Sequence, residues 1–275
     1  MKETAYAEMP LWKWILVLIG AFFIFTIFTS FAEVASIGTA KYIIYLCPIA
    51  SFVAGCVVLA AYFGWCRLVE KHRPVDLPLS VLGKDLCKGL GIGFGLFAAI
   101  TAVLAVLGFY QFDGVQFNAS SLVASFSLFF VVGICEEVLF RGIIFKMIDG
   151  RYNIWVALGV SAIIFGLVHW GNDNATLWSC IAIAIEAGIM LALAYKYSAN
   201  LWLPIGIHWA WNFTQGNVFG FAVSGQDAGG SIIRATVTGP DILTGGSFGP
   251  EASVLAIIVA SIYTYYLIKK LELIK

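Results

Sequence analysis

The chain has 275 residues, 61% hydrophobic and only 12% charged, with 16 basic residues balancing 16 acidic ones. A soluble domain carries about a quarter charged residues, so this composition, with its mean hydropathy of +0.92, excludes an ordinary water-covered globule. The lack of a basic excess excludes a phosphate-neutralising nucleic-acid binder.

A helix that crosses a bilayer needs about 20 apolar residues. On that measure the sequence predicts eight spans, at 11–32, 43–65, 89–110, 120–148, 153–171, 176–196, 200–220 and 252–268. The expected fold is therefore all-α, a polytopic membrane bundle of about eight transmembrane helices. The first span exceeds the roughly 7–15 apolar residues of a secretory signal, and it is expected to be retained. Residues 66–88 are polar and amphipathic, and read as a short helix on the cytoplasmic surface. Gly91 and Gly95 in the third span have the small-xxx-small spacing of close helix packing. Residues 221–251 are Gly-rich and expected outside, as are the N-x-S/T matches at Asn118 and Asn174.

Basic residues set the orientation, because cytoplasmic loops carry the excess of Lys and Arg. With both termini in the cytoplasm, 14 of the 16 fall inside, from Lys2 to Lys275, and only Lys41 and Arg234 fall outside. The cysteines (47, 56, 66, 87, 135 and 180) show no C-x-x-C spacing, and read as small hydrophobes within apolar segments.

Ionisable residues inside the spans are few: Glu136, Glu137, Arg141, His169, Glu186 and His208. Such groups face the bundle interior and mark function more often than a bland structural pair. Glu137 and Arg141 are four apart and share a helix face, while Glu136 is rotated about 100° and left available. Glu136, His169 and the pair His208 and Asn212 come from three helices. At about 1.5 Å per residue their depths overlap.

One carboxylate, two imidazoles and an amide in a dry pocket suit water attack on an amide. Glu136 would take the water's proton, His169 would hold the water or protonate the leaving amine, and His208 with Asn212 would donate to the oxyanion. No Ser–His or Cys–His pair is evident, and Cys135 reads as inert packing. The competing reading is a zinc site of Glu136, His169 and His208, although no H-E-x-x-H is present. Glu186 is read as a bonding or cavity-lining residue without a catalytic role, and His72 as solvated. Trp170, Trp209 and Trp211 are read as cavity walls or as simple aromatic packing.

Three motifs, "EEVLFR" (136–141), "FGLVH" (165–169) and "HWAWN" (208–212), match E-E-x-x-x-R, F-x-x-x-H and H-x-x-x-N. In this order they resemble the CPBP family, the type II CAAX prenyl endopeptidases and bacteriocin-processing or immunity proteins. The resemblance covers roughly 120–220, and "LTGGSFGPEAS" (243–253) resembles the tail of bacterial members. It implies an eight-span intramembrane endopeptidase in a bacterial cell membrane. Glu136 and His169 would activate water, His208 and Asn212 would stabilise the oxyanion, and Glu137 and Arg141 would support the site. The chain divides accordingly into 1–119, three helices with the loop 66–88, and 120–275, the CPBP-like core with the Gly-rich loop and last helix. Expected partners are the lipid bilayer and a peptide or lipidated protein substrate, with no nucleic acid. No cofactor is required, with zinc as the alternative. A non-catalytic immunity or peptide-binding protein is the second reading and a proton-coupled transporter the third, the latter weakened by the lack of an internal repeat.

Overall fold

A computed structural model describes residues 6–274, leaving aside the side chains of 39 and 40. Lys2 and Lys275 of the charge count lie outside the described residues. The chain opens with α1 (Leu11–Tyr42) and α2 (Cys47–Trp65), the latter prolonged by a π-helical turn, Cys66–Glu70. Next come α3 (Leu82–Val106) and α4 (Ala119–Glu137), which runs through a π-helical stretch, Val138–Phe145, into α5 (Lys146–Arg151). After α6 (Ile154–Val168), α7 (Leu177–Ile183) passes through the π turn Ala184–Ile189 into α8 (Met190–Ser198). The chain then forms α9 (Trp202–Phe213) with its π turn Thr214–Val218, the short α10 (Asp241–Thr244), and α11 (Val254–Lys270).

Among the described residues, six stretches are long and apolar enough to cross a membrane: Leu11–Gly38, Ile44–Glu70, Leu82–Val106, Ala119–Arg151, Ile154–Gly171 and Leu177–Ser198. Their outer faces carry large exposed apolar side chains such as Phe23, Phe31, Ile49, Phe52 and Ile163, the signature of a lipid-facing surface. The rods of α9 and α11, the expected seventh and eighth spans, are shorter than those six. The α9 rod is wrapped by protein: Trp202 through Trp211 are all buried.

Two expectations need correction. The segment 66–88 is no surface helix. Its first residues continue the α2 rod as a π turn, 71–81 is loop and turn, and α3 already starts at Leu82. Two of its acids, Glu70 and Asp76, are buried and held by protein partners instead of water. Lys146 Nζ donates to Glu70 Oε2 (2.7 Å) and Asp76 Oδ2 (3.1 Å), and the Tyr62 and Tyr195 hydroxyls donate to the same Asp76 oxygen. The all-α expectation holds for the bundle, which carries in addition a small antiparallel ribbon, β1 (Tyr110–Val115) with β2 (Ile233–Val237), whose register slips between Phe112 and Gly114. The glycine pair is displaced by two residues. Gly91 and Gly95 have nothing close by, whereas a side chain at Gly89 or Gly93 would collide with the carbonyl oxygens of Leu203 and Ile207. Gly206 on α9 faces Leu86 and Gly89 in the same way. This glycine seam brings the α3 and α9 backbones together and fixes the helix that carries His208 and Asn212.

Candidate active site

Glu136 and Glu137 are the last two residues of regular α4, at the point where the helix widens into its π stretch. Such widenings are rare and frequent at functional sites. Glu137 is fully buried and receives two donors on one oxygen: Arg141 Nη1 at 2.7 Å and His208 Nδ1 at 2.8 Å. Arg141, 1% exposed, spends its other terminal nitrogen on the Ala187 and Gly188 carbonyls of the π turn 184–189, and its guanidinium lies 4.5 Å from the Phe165 ring centre. Glu137 thus binds three helical rods together. Its function extends beyond neutralising Arg141, since it also orients an imidazole.

With Nδ1 held by Glu137, His208 turns Nε2 toward Glu136 Oε2, 3.8 Å away. Glu136 is the more accessible of the two glutamates, with a side chain 23% exposed, and its Oε2 has no hydrogen-bond partner. His169, at the end of α6, places Nδ1 2.7 Å from the Phe165 carbonyl oxygen. A carbonyl only accepts, so Nδ1 carries the hydrogen there and Nε2 of a neutral ring presents a lone pair. α6 reaches this position because Gly166 lets it press on the α7 backbone at Cys180.

Glu136, His169, His208 and Asn212 all line one cavity of about 440 Å³. Its apolar wall includes Ile37, Leu128, Phe129, Val132 and Val223. Four polar wall residues, Glu33, Asn172, Gln226 and Asp227, escape the sequence reading. Glu33 sits on α1, one residue past the expected end of the first span, and was legible as an acid at the edge of an apolar run. Asp227 and Gln226 belong to the Gly-rich segment, which turns back over the cavity instead of projecting away. The segment is tied down by Asn217 Nδ2 to the Ala228 and Gly230 carbonyls and by Ser125 Oγ to the Ala228 carbonyl.

The remaining residues separate clearly. Trp170 is exposed and Trp209 packs on Phe126 and Phe130, while Trp211 lines a small second cavity together with Glu186. Cys135 is buried. The His72 side chain is 46% exposed, with Nε2 3.2 Å from Glu70. Among the described residues no three His, Cys, Asp or Glu side chains are arranged to hold a metal ion. His208 Nδ1 and His169 Nδ1 are both committed to other partners, an arrangement that also accompanies metal ligation through the opposite ring nitrogen.

The fold and site define an integral membrane protein with a polar, acid- and imidazole-lined chamber inside its helix bundle. Residues 118–214, which contain all three motifs, match the family model described as type II CAAX prenyl endopeptidase Rce1-like, which supports the resemblance to the CPBP family. A stretch of 79 residues is 33% identical to the protein named Putative membrane peptidase YdiL in Bacillus subtilis (strain 168), covering 28% of this chain and 30% of that relative's length. No solved structure matches the chain.

Proposed function

We propose that the protein is an intramembrane endopeptidase that hydrolyses a peptide bond of a membrane-associated substrate, a CAAX-like lipidated C-terminus or a leader peptide. The observation that carries this reading is the convergence of Glu136, His169, His208 and Asn212 on one cavity. A water between Glu136 and the His169 Nε2 lone pair gives its proton to the Glu136 carboxylate as its oxygen bonds to the substrate carbonyl carbon. The oxyanion receives hydrogen bonds from Asn212 Nδ2 and from Nε2 of a His208 imidazolium, whose other nitrogen is held by Glu137. Collapse breaks the C–N bond, and the proton moves from Glu136 to the departing amine. No step passes through a metal.

We further read 120–275 as the part carrying this chemistry and 1–119 as its scaffold and outer wall, with both termini cytoplasmic. The deciding experiment is a peptidase assay of purified wild type and Glu136→Gln on a prenylated CAAX peptide and a panel of leader peptides. Cleavage by wild type and its loss in Glu136→Gln supports the reading. Equal cleavage by both overturns the glutamate mechanism, and peptide binding without cleavage by either supports the non-catalytic binder.

A further inference from the structure

Behind the main cavity lies a second, smaller one of about 30 Å³, to which Glu186, Glu251, Ser224, His169, His208 and Asn212 contribute. A water needs roughly 10–15 Å³ of such space, so this one has room for at least one. Glu186 is 2% and Glu251 3% exposed. Glu251 Oε1 accepts from Ser224 Oγ at 2.5 Å. Glu186 makes no hydrogen bond among the described residues, and its Oε2 is buried without a partner. A buried polar atom left unmade costs about 1–3 kcal/mol, and more when charged, so an unsatisfied carboxylate facing a water-sized space points to a ligand in it. Asn212 borders both cavities, and among the described residues its amide likewise has no hydrogen bond. Nothing within the protein therefore fixes which end of that amide faces the substrate.

The charged groups around this space come from four elements. Arg141 approaches from the π stretch 138–145, but its terminal nitrogens are engaged by Glu137 and by the Ala187 and Gly188 carbonyls. His169 comes from the end of α6 and His208 from α9, with Glu136 and Glu137 on the far side of His208. No Lys lines the space. Two carboxylates facing one enclosed cavity, with no cation hydrogen-bonded to either, repel, which favours a proton on one of them. Burial pushes Glu251 up to about 7.

We propose that Glu186 and Glu251 are positioning residues of the site: together they hold one proton and one water, and that water donates to Asn212 Oδ1 so that Nδ2 faces the substrate. The water accepts from the protonated carboxyl and donates to the ionised one and to Asn212, the three hydrogen bonds typical of a buried water. This rests on the peptidase reading, so the test has an arm that needs no activity.

In full-length protein in lipid nanodiscs, infrared spectra at neutral pH report the C=O stretch of protonated carboxyls. Glu186→Gln and Glu251→Gln are each expected to remove the same component, and the double variant to remove no more than either. An unaltered band, or two losses that add, overturns the shared proton even if no peptide is ever cleaved. In the activity arm, Glu186→Ala and Glu251→Ala are expected to lower kcat about 10- to 100-fold with KM nearly constant, and Asn212→Ala/Glu251→Ala to be no slower than Asn212→Ala alone. Additive losses, or a fall in thermal stability with kcat unchanged, overturn the positioning role.

Discussion

Residue by residue, the site assigns unequal weights to its polar groups. Glu136→Gln keeps size and removes only the base, whose contribution is typically 10²–10⁴-fold. Turnover is expected to fall by that amount in a protein that still folds, and near-normal turnover would discard Glu136 as base. His169→Ala should be comparably slow, and Asn212→Ala slower by roughly 10²–10³, the value of one oxyanion donor. Arg141→Ala leaves Glu137 charged in a dry bundle, and breaking such a pair costs about 3–5 kcal/mol. Glu137→Leu/Arg141→Leu is expected to recover much of that stability and yet be inactive, because His208 loses the acceptor on Nδ1. Thermal melts in detergent, paired with activity, check both halves. If Arg141→Ala melts like wild type, the buried-pair account fails. Glu251 supplies a pH dependence. Its carboxyl titrates near 7 against an ordinary value of 4.5, so the stability it contributes is complete below about 4.5 and is lost as pH rises through 7. The melting temperature should fall across that window, and Glu251→Gln should flatten the fall. A wild-type profile that rises across it would contradict the assignment.

At the scale of elements, what the sequence makes legible is local. Long apolar runs locate the helices, and the i, i+4 spacing of Glu137 and Arg141 announces their pairing, because both signals repeat within one helical turn. Contacts between distant segments leave no such trace. Asp227 and Glu251 reach the two cavities only because the Gly-rich segment doubles back, and nothing periodic in 221–251 announces that fold. The glycine seam shows how far a motif can mislead. Spacing alone offers Gly91 and Gly95, and only the rotation of α3 against α9 selects Gly89 and Gly93. Gly93→Leu should therefore push α9 away and cost at least the roughly 1–3 kcal/mol of an overpacked core, with activity lost through displaced His208 and Asn212. Gly91→Leu, two residues away, should be tolerated. Equal melting temperatures for the two variants would remove the seam as the determinant of α9 placement.

At the scale of the whole molecule, charge and polarity are sorted into two layers. The polar chamber lies inside the bundle, and a separate knot joins Glu70, Asp76, Lys146, Tyr62 and Tyr195. The knot revises the sequence count of cytoplasmic charges, since Lys146 is a buried partner of two carboxylates and Arg141 belongs to the bundle interior, leaving neither as a free loop cation. The bias that remains still favours the proposed arrangement with both termini in the cytoplasm. Cysteine labelling of a C-terminal tag in intact cells should be blocked unless the membrane is permeabilised. Labelling from outside would reverse the topology. Chelators are expected to leave turnover unchanged, and loss of activity restored by added zinc would reverse the metal-free mechanism.

The π-helical stretches give this architecture an unusual sensitivity to chain length. Each wide turn takes up residues that a regular helix would have carried further round its axis, at about 100° per residue. Removing a single residue from 138–145 would let that rod relax to ordinary winding. Glu136 and Glu137, ahead of the cut, would keep their orientation, while residues of the stretch itself, Arg141 among them, would be turned to a different face of the rod. The same holds for 184–189, where the carbonyls that grip Arg141 would rotate off it, and for 214–218, which hangs the cavity-covering segment on Asn217. A scan of one-residue deletions should thus trace the working parts of the molecule more sharply than substitutions do. Shortenings are expected to be benign in the loop 71–75 and ruinous at these three stretches, where the number of residues matters more than their side chains.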